Sequence, residues 1–192
     1  MYEAKNYDHL IGTKGFSDAL LKNHFTLYQG YVTNTNKVTD LLKTVSSGTP
    51  EYAELKRRFG WEYNGMRLHE LYFGNMTKEQ NQPPEKPLLF DEIEKQFGSH
   101  EAWEADFKAT GAMRGIGWAM LVMDTENGRL HNVWVNEHDA GHLAGAKPLL
   151  VMDVFEHAFM LDYGLKRADY IAAFWDAIDW DVVDGRFALR QK

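Results

Sequence analysis

The stretch Leu149-Leu-Val-Met-Asp-Val-Phe-Glu-His-Ala-Phe159 carries an apolar run into a carboxylate and places an imidazole four residues after it. The run from Leu149 to Met152 has the length and composition of a short buried strand. Four more residues bring His157 back toward Asp153, through either a strand-to-helix turn or a turn of helix. Asp153 and His157 therefore look like a pair of metal ligands, with Glu156 between them pointing away. The same spacing also arises as an ion pair on a helix surface, so the rest of the chain has to decide.

Upstream, Trp118 to Met123 and Leu130 to Val135 are strand-like and flank Asp124-Thr-Glu-Asn-Gly-Arg129, whose Asn-Gly signals a turn. With Leu149 to Met152 they predict a small three-stranded antiparallel sheet. Helices are expected around Leu88 to Phe97, from about Ser99 to Thr110 with Ser99 as cap, and from Ala168 to Trp180 as the closing element.

Nearer the N-terminus, Ser17 is placed to cap a helix with Asp18 in its first turn. Apolar residues continue at Leu20, Leu21, Phe25, Tyr28, Tyr31 and Val32, then through Leu41 and Leu42 to the break at Ser46-Ser-Gly-Thr-Pro50. A second helix is expected from about Pro50 to Phe73, and the short connection makes the pair an antiparallel hairpin. Gln80-Asn-Gln-Pro-Pro-Glu-Lys-Pro87 reads as a linker. The expected fold is α+β: a helical hairpin domain over residues 1–82, then a domain over residues 88–192 with helices and the small sheet.

The chain has 192 residues, 44% of them apolar, enough for a core without staples. It has no cysteine, which excludes disulfides, thiolate metal sites and thiol nucleophiles and suits a reducing cytosol. Any metal must be held by histidine and carboxylate. The net charge of −7 and the lack of a Lys/Arg run argue against a nucleic-acid partner. The first residues lack a basic-plus-apolar leader, and no apolar stretch approaches membrane length, so a soluble cytoplasmic protein is expected, with no membrane partner.

Of eight histidines, His9, His100 and His131 sit in contexts that read as surface or strand-edge positions. His24 and His69 differ: each lies among apolar neighbours in one of the two long helices, and an antiparallel hairpin can bring them face to face. A histidine on such a face is more often a hydrogen-bonded core residue, but four candidate ligands from separated segments share one plausible meeting point. His24, His69, Asp153 and His157 supply three neutral nitrogens and one anionic oxygen, a set suited to manganese or iron with a position left open. Zinc fits the same atoms and would predict hydrolysis. No histidine has a glutamate three residues before it, which removes the carboxylate-bridged di-iron bundle, and His69-Glu70 is not continued as His-Glu-x-x-His.

The chain resembles the iron/manganese superoxide dismutases in several segments that follow the family's order. Asp153 to Phe159 is similar to their D-x-W-E-H-x-Y signature, with Phe155 in the tryptophan position. Asn64-Gly-Met-Arg-Leu-His69 matches the approach to their second histidine ligand, and Gly115-Ile-Gly-Trp-Ala119 their G-S-G-W segment. Tyr31-Val-Thr-Asn34 resembles the end of their first-helix motif, and Arg167-Ala-Asp-Tyr170 with Phe174, Trp175 and Trp180 their C-terminal helix.

The resemblance implies superoxide disproportionation at one iron or manganese ion per subunit, held by His24, His69, Asp153 and His157. It also implies a homodimer, with a tetramer as the alternative, in which Glu156 accepts a hydrogen bond from His157 of a second subunit. Three departures carry expectations of their own. The family has eight residues from its first ligand to its gateway tyrosine, whereas His24 to Tyr31 is seven, so Tyr28 and Tyr31 compete for that role and the sequence after Tyr31 favours Tyr31. The family's cross-subunit histidine–tyrosine hydrogen bond loses both partners, with Met160 in one place and Leu27 or Tyr28 in the other. Gly65 fills one of the two positions from which a glutamine reaches the metal's open side, so that group is expected from Asn136-Glu-His-Asp139, with His138 preferred over its neighbour Glu137. His142 is expected to be an ordinary loop histidine.

Trp118 and Phe155 are expected to wall the site. Arg167 either attracts the anion at the mouth or serves as a structural partner. The alternatives are a mononuclear iron oxygenase or hydrolase, and a metal-binding relative with little turnover.

Overall fold

The computed structural model describes residues 1–79 and 87–189. The expected linker falls outside these, apart from Pro87. Two long helices come first: α1 (Asp18–Leu41), capped by Ser17 accepting from Leu20 N, and α2 (Pro50–Gly74), capped by Thr49 with Pro50 in its first turn. They run antiparallel, because positions rising along α1 meet positions falling along α2. His24 packs on Phe73 at 4.9 Å between ring centres, the Tyr28 hydroxyl meets Glu70 at 3.1 Å, and Tyr31 lies against Gly65.

Next come α3 (Leu88–Phe97) and α4 (His100–Ala112), separated by Gly98 at φ 87° and Ser99, whose hydroxyl accepts from Ala102 N. Strands β1 (Gly117–Asp124), β2 (Leu130–Asn136) and β3 (Ala146–Asp153) form an antiparallel sheet in the order β2-β1-β3. β1 is central and nearly all buried, whereas β2 alternates less cleanly at the edge. β3 begins earlier than its apolar run and includes Pro148. An edge strand tolerates proline, and the register shift beside it, where Leu121 pairs with Leu150 but Val122 with Pro148, absorbs the irregularity.

After β3 come a 3₁₀ turn at Glu156–Ala158, the one-turn helix α5 (Met160–Tyr163), then α6 (Arg167–Asp176) and α7 (Trp180–Ala188). The single closing helix expected over Ala168 to Trp180 is therefore two. The break has a physical cause: the backbone at 177–179 leaves the helix to bind the end of α2, with Thr77 N donating to Ala177 O at 2.8 Å and Asp179 N to Asn75 O at 3.0 Å. The Asp179 side chain then caps α7 through Val182 N. Arg186 of α7 returns the tie, donating to Leu71 O in the last turn of α2, to Asn75 Oδ1 and to Leu149 O. The core runs continuously from α1 and α2 through the sheet to α6 and α7. No helix among the described residues is long and apolar enough to cross a membrane.

Candidate metal centre

Each element delivers one group to a single point. His24 sits two turns into α1, His69 near the end of α2, Asp153 at the last position of β3, and His157 within the following 3₁₀ turn. Their ligating atoms lie within 4.8 Å of one another. Asp153 Oδ2 is 3.2 Å from His24 Nε2, 3.0 Å from His157 Nε2 and 3.5 Å from His69 Nε2. His24, His69 and Asp153 are buried and His157 half-buried.

The chemistry of this cluster fits a cation. His69 Nδ1 lies 2.6 Å from Gly65 O, and a carbonyl only accepts, so Nδ1 carries the proton and Nε2 of the neutral ring is a lone pair. That Nε2 is buried with no hydrogen-bond partner, facing a carboxylate oxygen that is also an acceptor. Two buried acceptors turned on each other are unfavourable unless something positive lies between them. Burial holds His24 and His69 below the ordinary imidazole range, so both stay neutral. For Asp153, burial raises the carboxyl, but His157 beside it and the hydrogen bonds from His157 and His24 outweigh this and hold it well below the usual range. Phe155 N donates to Asp153 Oδ1 at 2.8 Å, and the Tyr170 hydroxyl to Asp153 O at 2.6 Å, fixing the carboxylate's plane and its backbone.

Around these four lies an aromatic layer. Tyr31 stacks on His69 at 5.1 Å between ring centres, Trp118 meets His69 edge-on at 5.0 Å, and Phe155 stacks on His157 at 5.0 Å. His138 is completely buried between Phe155, Trp61 and Tyr31. The Trp118 indole N–H donates to His138 Nδ1 at 3.1 Å, and His138 Nε2 lies 2.8 Å from the Tyr31 hydroxyl. An indole can only donate, so Nδ1 is the acceptor and the proton of neutral His138 sits on Nε2. Burial pushes His138 down to about 4.

The same geometry separates the two tyrosines. Tyr28 points away from the cluster, its hydroxyl donating to Glu70 Oε1 and accepting from Lys5 N. Tyr31 faces the cluster, and burial together with the Asp153 charge raises its hydroxyl far above the usual range. α1 is regular α-helix throughout, so the shorter spacing from His24 needs no extra-residue bulge. Gly65 makes room for Tyr31: a Cβ there would meet Tyr31 Cδ1 at 2.6 Å.

Comparison with known proteins agrees with this arrangement. Residues 84–186 match the family model for the C-terminal domain of iron/manganese superoxide dismutases. The chain is 37% identical to superoxide dismutase [Mn] 2 of Haloferax volcanii over 167 residues, covering 86% of this chain and 83% of that one. It is 37% identical to superoxide dismutase [Fe] of Aquifex pyrophilus over 196 aligned positions, covering 96% and 91%. It is also 34% identical to superoxide dismutase [Fe] of Saccharolobus solfataricus, covering 82% and 78%.

The chain belongs to the iron/manganese superoxide dismutase family. Glu137 does not point toward the cluster: it is exposed, and its carboxylate accepts from the Trp61 indole N–H at 3.1 Å. Arg167 donates to Met113 O at 2.6 Å and Gly115 O at 2.8 Å, and so secures the turn before β1. Met160 is exposed at the start of α5 while Tyr28 is fully buried, so the two positions form no polar pair within the chain. His142 hydrogen-bonds the backbone oxygen of His138 at 2.9 Å.

His100 corrects the surface reading. It is half-buried among Phe90, Trp103 and Trp180, and its Nε2 is buried without a hydrogen-bond partner. A histidine at the first position of a helix looked solvated, but α3 and α7 pack over it. The sequence reading also passed over Arg58, Trp61 and Glu62. Their spacing from Gly65 and His69 places all of them on one stripe of α2, a signal available from the start.

Proposed function

We propose that this protein disproportionates superoxide at a single iron or manganese ion held by His24, His69, Asp153 and His157. The observation that carries the proposal is the buried, partnerless Nε2 of His69 facing Asp153 Oδ2. Among the described residues one such cluster is found, in keeping with one ion per subunit. When bound, the ion supplies one-electron redox chemistry. One superoxide gives up an electron and leaves as dioxygen; a second takes an electron and two protons and leaves as hydrogen peroxide.

The chain's own residues manage the protons and the walls. His138 Nε2–H donates to the Tyr31 oxygen, which leaves the Tyr31 hydroxyl proton free to be given toward the open side of the cluster. Both groups hold their protons near neutral pH, Tyr31 because its hydroxyl is raised and His138 because its neutral ring keeps Nε2–H. We assign them as the catalytic pair. Trp118 and Phe155 close the sides and exclude larger molecules.

The assembly belongs to the same proposal. Glu156 is exposed and no part of the cluster, and His157 uses Nε2 toward Asp153, leaving Nδ1 for another partner. The exposed Met160 and Leu161 lie beside them. This surface suits a twofold homodimer in which Glu156 of each copy accepts from His157 of the other, with a tetramer as the alternative. The division into residues 1–82 and 88–192 is supported by the family match over 84–186. A cytoplasmic location is part of the same reading.

Metal analysis and a superoxide-consumption assay on protein reconstituted separately with iron and with manganese test the proposal. Turnover with at least one metal is expected. Stoichiometric metal with no turnover from either would favour the alternative, a metal-binding relative that has lost the activity.

A further inference from the structure

Glu137 is the one non-glycine residue among the described positions with a left-handed backbone, at φ 51°. An L-residue with a long side chain has no intrinsic reason to adopt this conformation. It occurs one position before His138, in a tight loop closed by Asn136 N donating to Ala140 O at 2.7 Å and Ala140 N to Asn136 O at 3.2 Å. In this conformation the Glu137 carboxylate reaches the Trp61 indole N–H at 3.1 Å. Trp61 then lies with its ring centre 4.6 Å from that of His138 and 5.5 Å from that of Tyr31. Its ring also carries the Arg58 guanidinium at 4.1 Å, and Arg58 is tethered to the buried Glu62 at 2.7 Å. A chain of contacts thus runs from the stripe on α2, through an indole, to the loop that bears His138.

We propose that Trp61 and Glu137 are positioning residues for His138. Their hydrogen bond clamps the left-handed turn, and the turn aims the imidazole so that it accepts from Trp118 and donates to Tyr31. Without the clamp the loop relaxes toward ordinary backbone angles and the ring swings from the Tyr31 hydroxyl. Arg58 and Glu62 act one step further out, with the guanidinium packed over the indole.

This inference rests on the proposed function, so the wild-type protein is first shown to bind metal and turn over. Trp61→Phe keeps an aromatic ring but lacks the N–H; Glu137→Ala lacks the acceptor; Glu137→Gln retains one. Turnover, the visible spectrum of the oxidised metal form and its affinity for azide are measured for each. We expect Trp61→Phe and Glu137→Ala each to lower turnover about tenfold and to alter the spectrum and azide affinity alike. Glu137→Gln should stay within about twofold, and the Trp61→Phe/Glu137→Ala double variant should lose no more than either single one. Glu137 is exposed, so its variants fold even if Trp61→Phe does not. Wild-type turnover and spectrum in Glu137→Ala would overturn the proposal, as would Glu137→Gln failing as badly as Glu137→Ala. An inactive wild type would instead count against the dismutase reading.

Discussion

The Tyr31 hydroxyl lies 2.8 Å from His138 Nε2, and the direction of that hydrogen bond is set from the far side of the imidazole by the Trp118 indole N–H. A donor-only group on one ring nitrogen decides where the proton sits on the other. The tyrosine therefore accepts from His138 and keeps its own proton to give.

Removing that proton should separate Tyr31 from Tyr28. Tyr31→Phe is expected to lower turnover about tenfold or more while leaving thermal stability nearly unchanged. Tyr28→Phe is expected to do the reverse, costing about 1–2 kcal/mol because buried Glu70 loses a donor at Oε1, with turnover kept within about threefold. Superoxide-consumption assays and thermal denaturation of both variants check this, and a larger loss of turnover at Tyr28 would reverse the assignment.

His138 makes stability pH-dependent with a defined sign. Its folded value of about 4 lies below the ordinary imidazole value of 6.5, so the unfolded chain binds more protons between those limits. Its contribution is present above about pH 6.5 and is lost as pH falls toward 4. His24 and His69 are shifted the same way and steepen the loss in metal-free protein. Denaturant unfolding of metal-free protein from pH 7 to pH 4 should show this decline, and His138→Gln, which cannot ionise, should make it shallower while the His24 and His69 contributions remain.

Metal removal should loosen more than the site. The four residues of the cluster come from α1, α2, the end of β3 and the turn after it, so an ion held there would tie together elements far apart in sequence. Chelated protein is expected to melt about 10 °C or more below the loaded form, with recovery on adding iron or manganese. Asp153→Asn should abolish tight binding, because it removes the only anionic donor of the cluster. Calorimetry with and without metal tests both.

Much of this arrangement was legible in the sequence, for identifiable reasons. The long helices announced themselves through Ser17, Pro50 and their apolar spacing, and the sheet through Asn127-Gly128 and the run before Asp153. Residues that converge from distant segments could be named because their types restrict what they can bind. What stayed hidden depends on tertiary contacts: the split between α6 and α7 is made by backbone bonds to the end of α2, and the burial of His100 by helices packed over it. The left-handed turn at Glu137 has no local signature either, since the residue that adopts it is neither glycine nor asparagine.

Gly65→Ala should act on Tyr31 without touching it chemically. The added methyl would occupy the place of the tyrosine ring, which must rotate or move the helix, at a cost of about 1–3 kcal/mol. Turnover should fall together with stability, and a crystal structure of the variant should show the ring displaced from His138. Unchanged turnover would show that the hydroxyl position matters less than its presence.

That bare turn of α2 also restricts how related chains can drift. A larger residue at position 65 becomes admissible only if the aromatic opposite it shrinks, shifts along α1 or changes its spacing from His24. Among chains that keep the seven-residue spacing from His24 to Tyr31, then, this position should stay glycine, and a larger residue there should be rare.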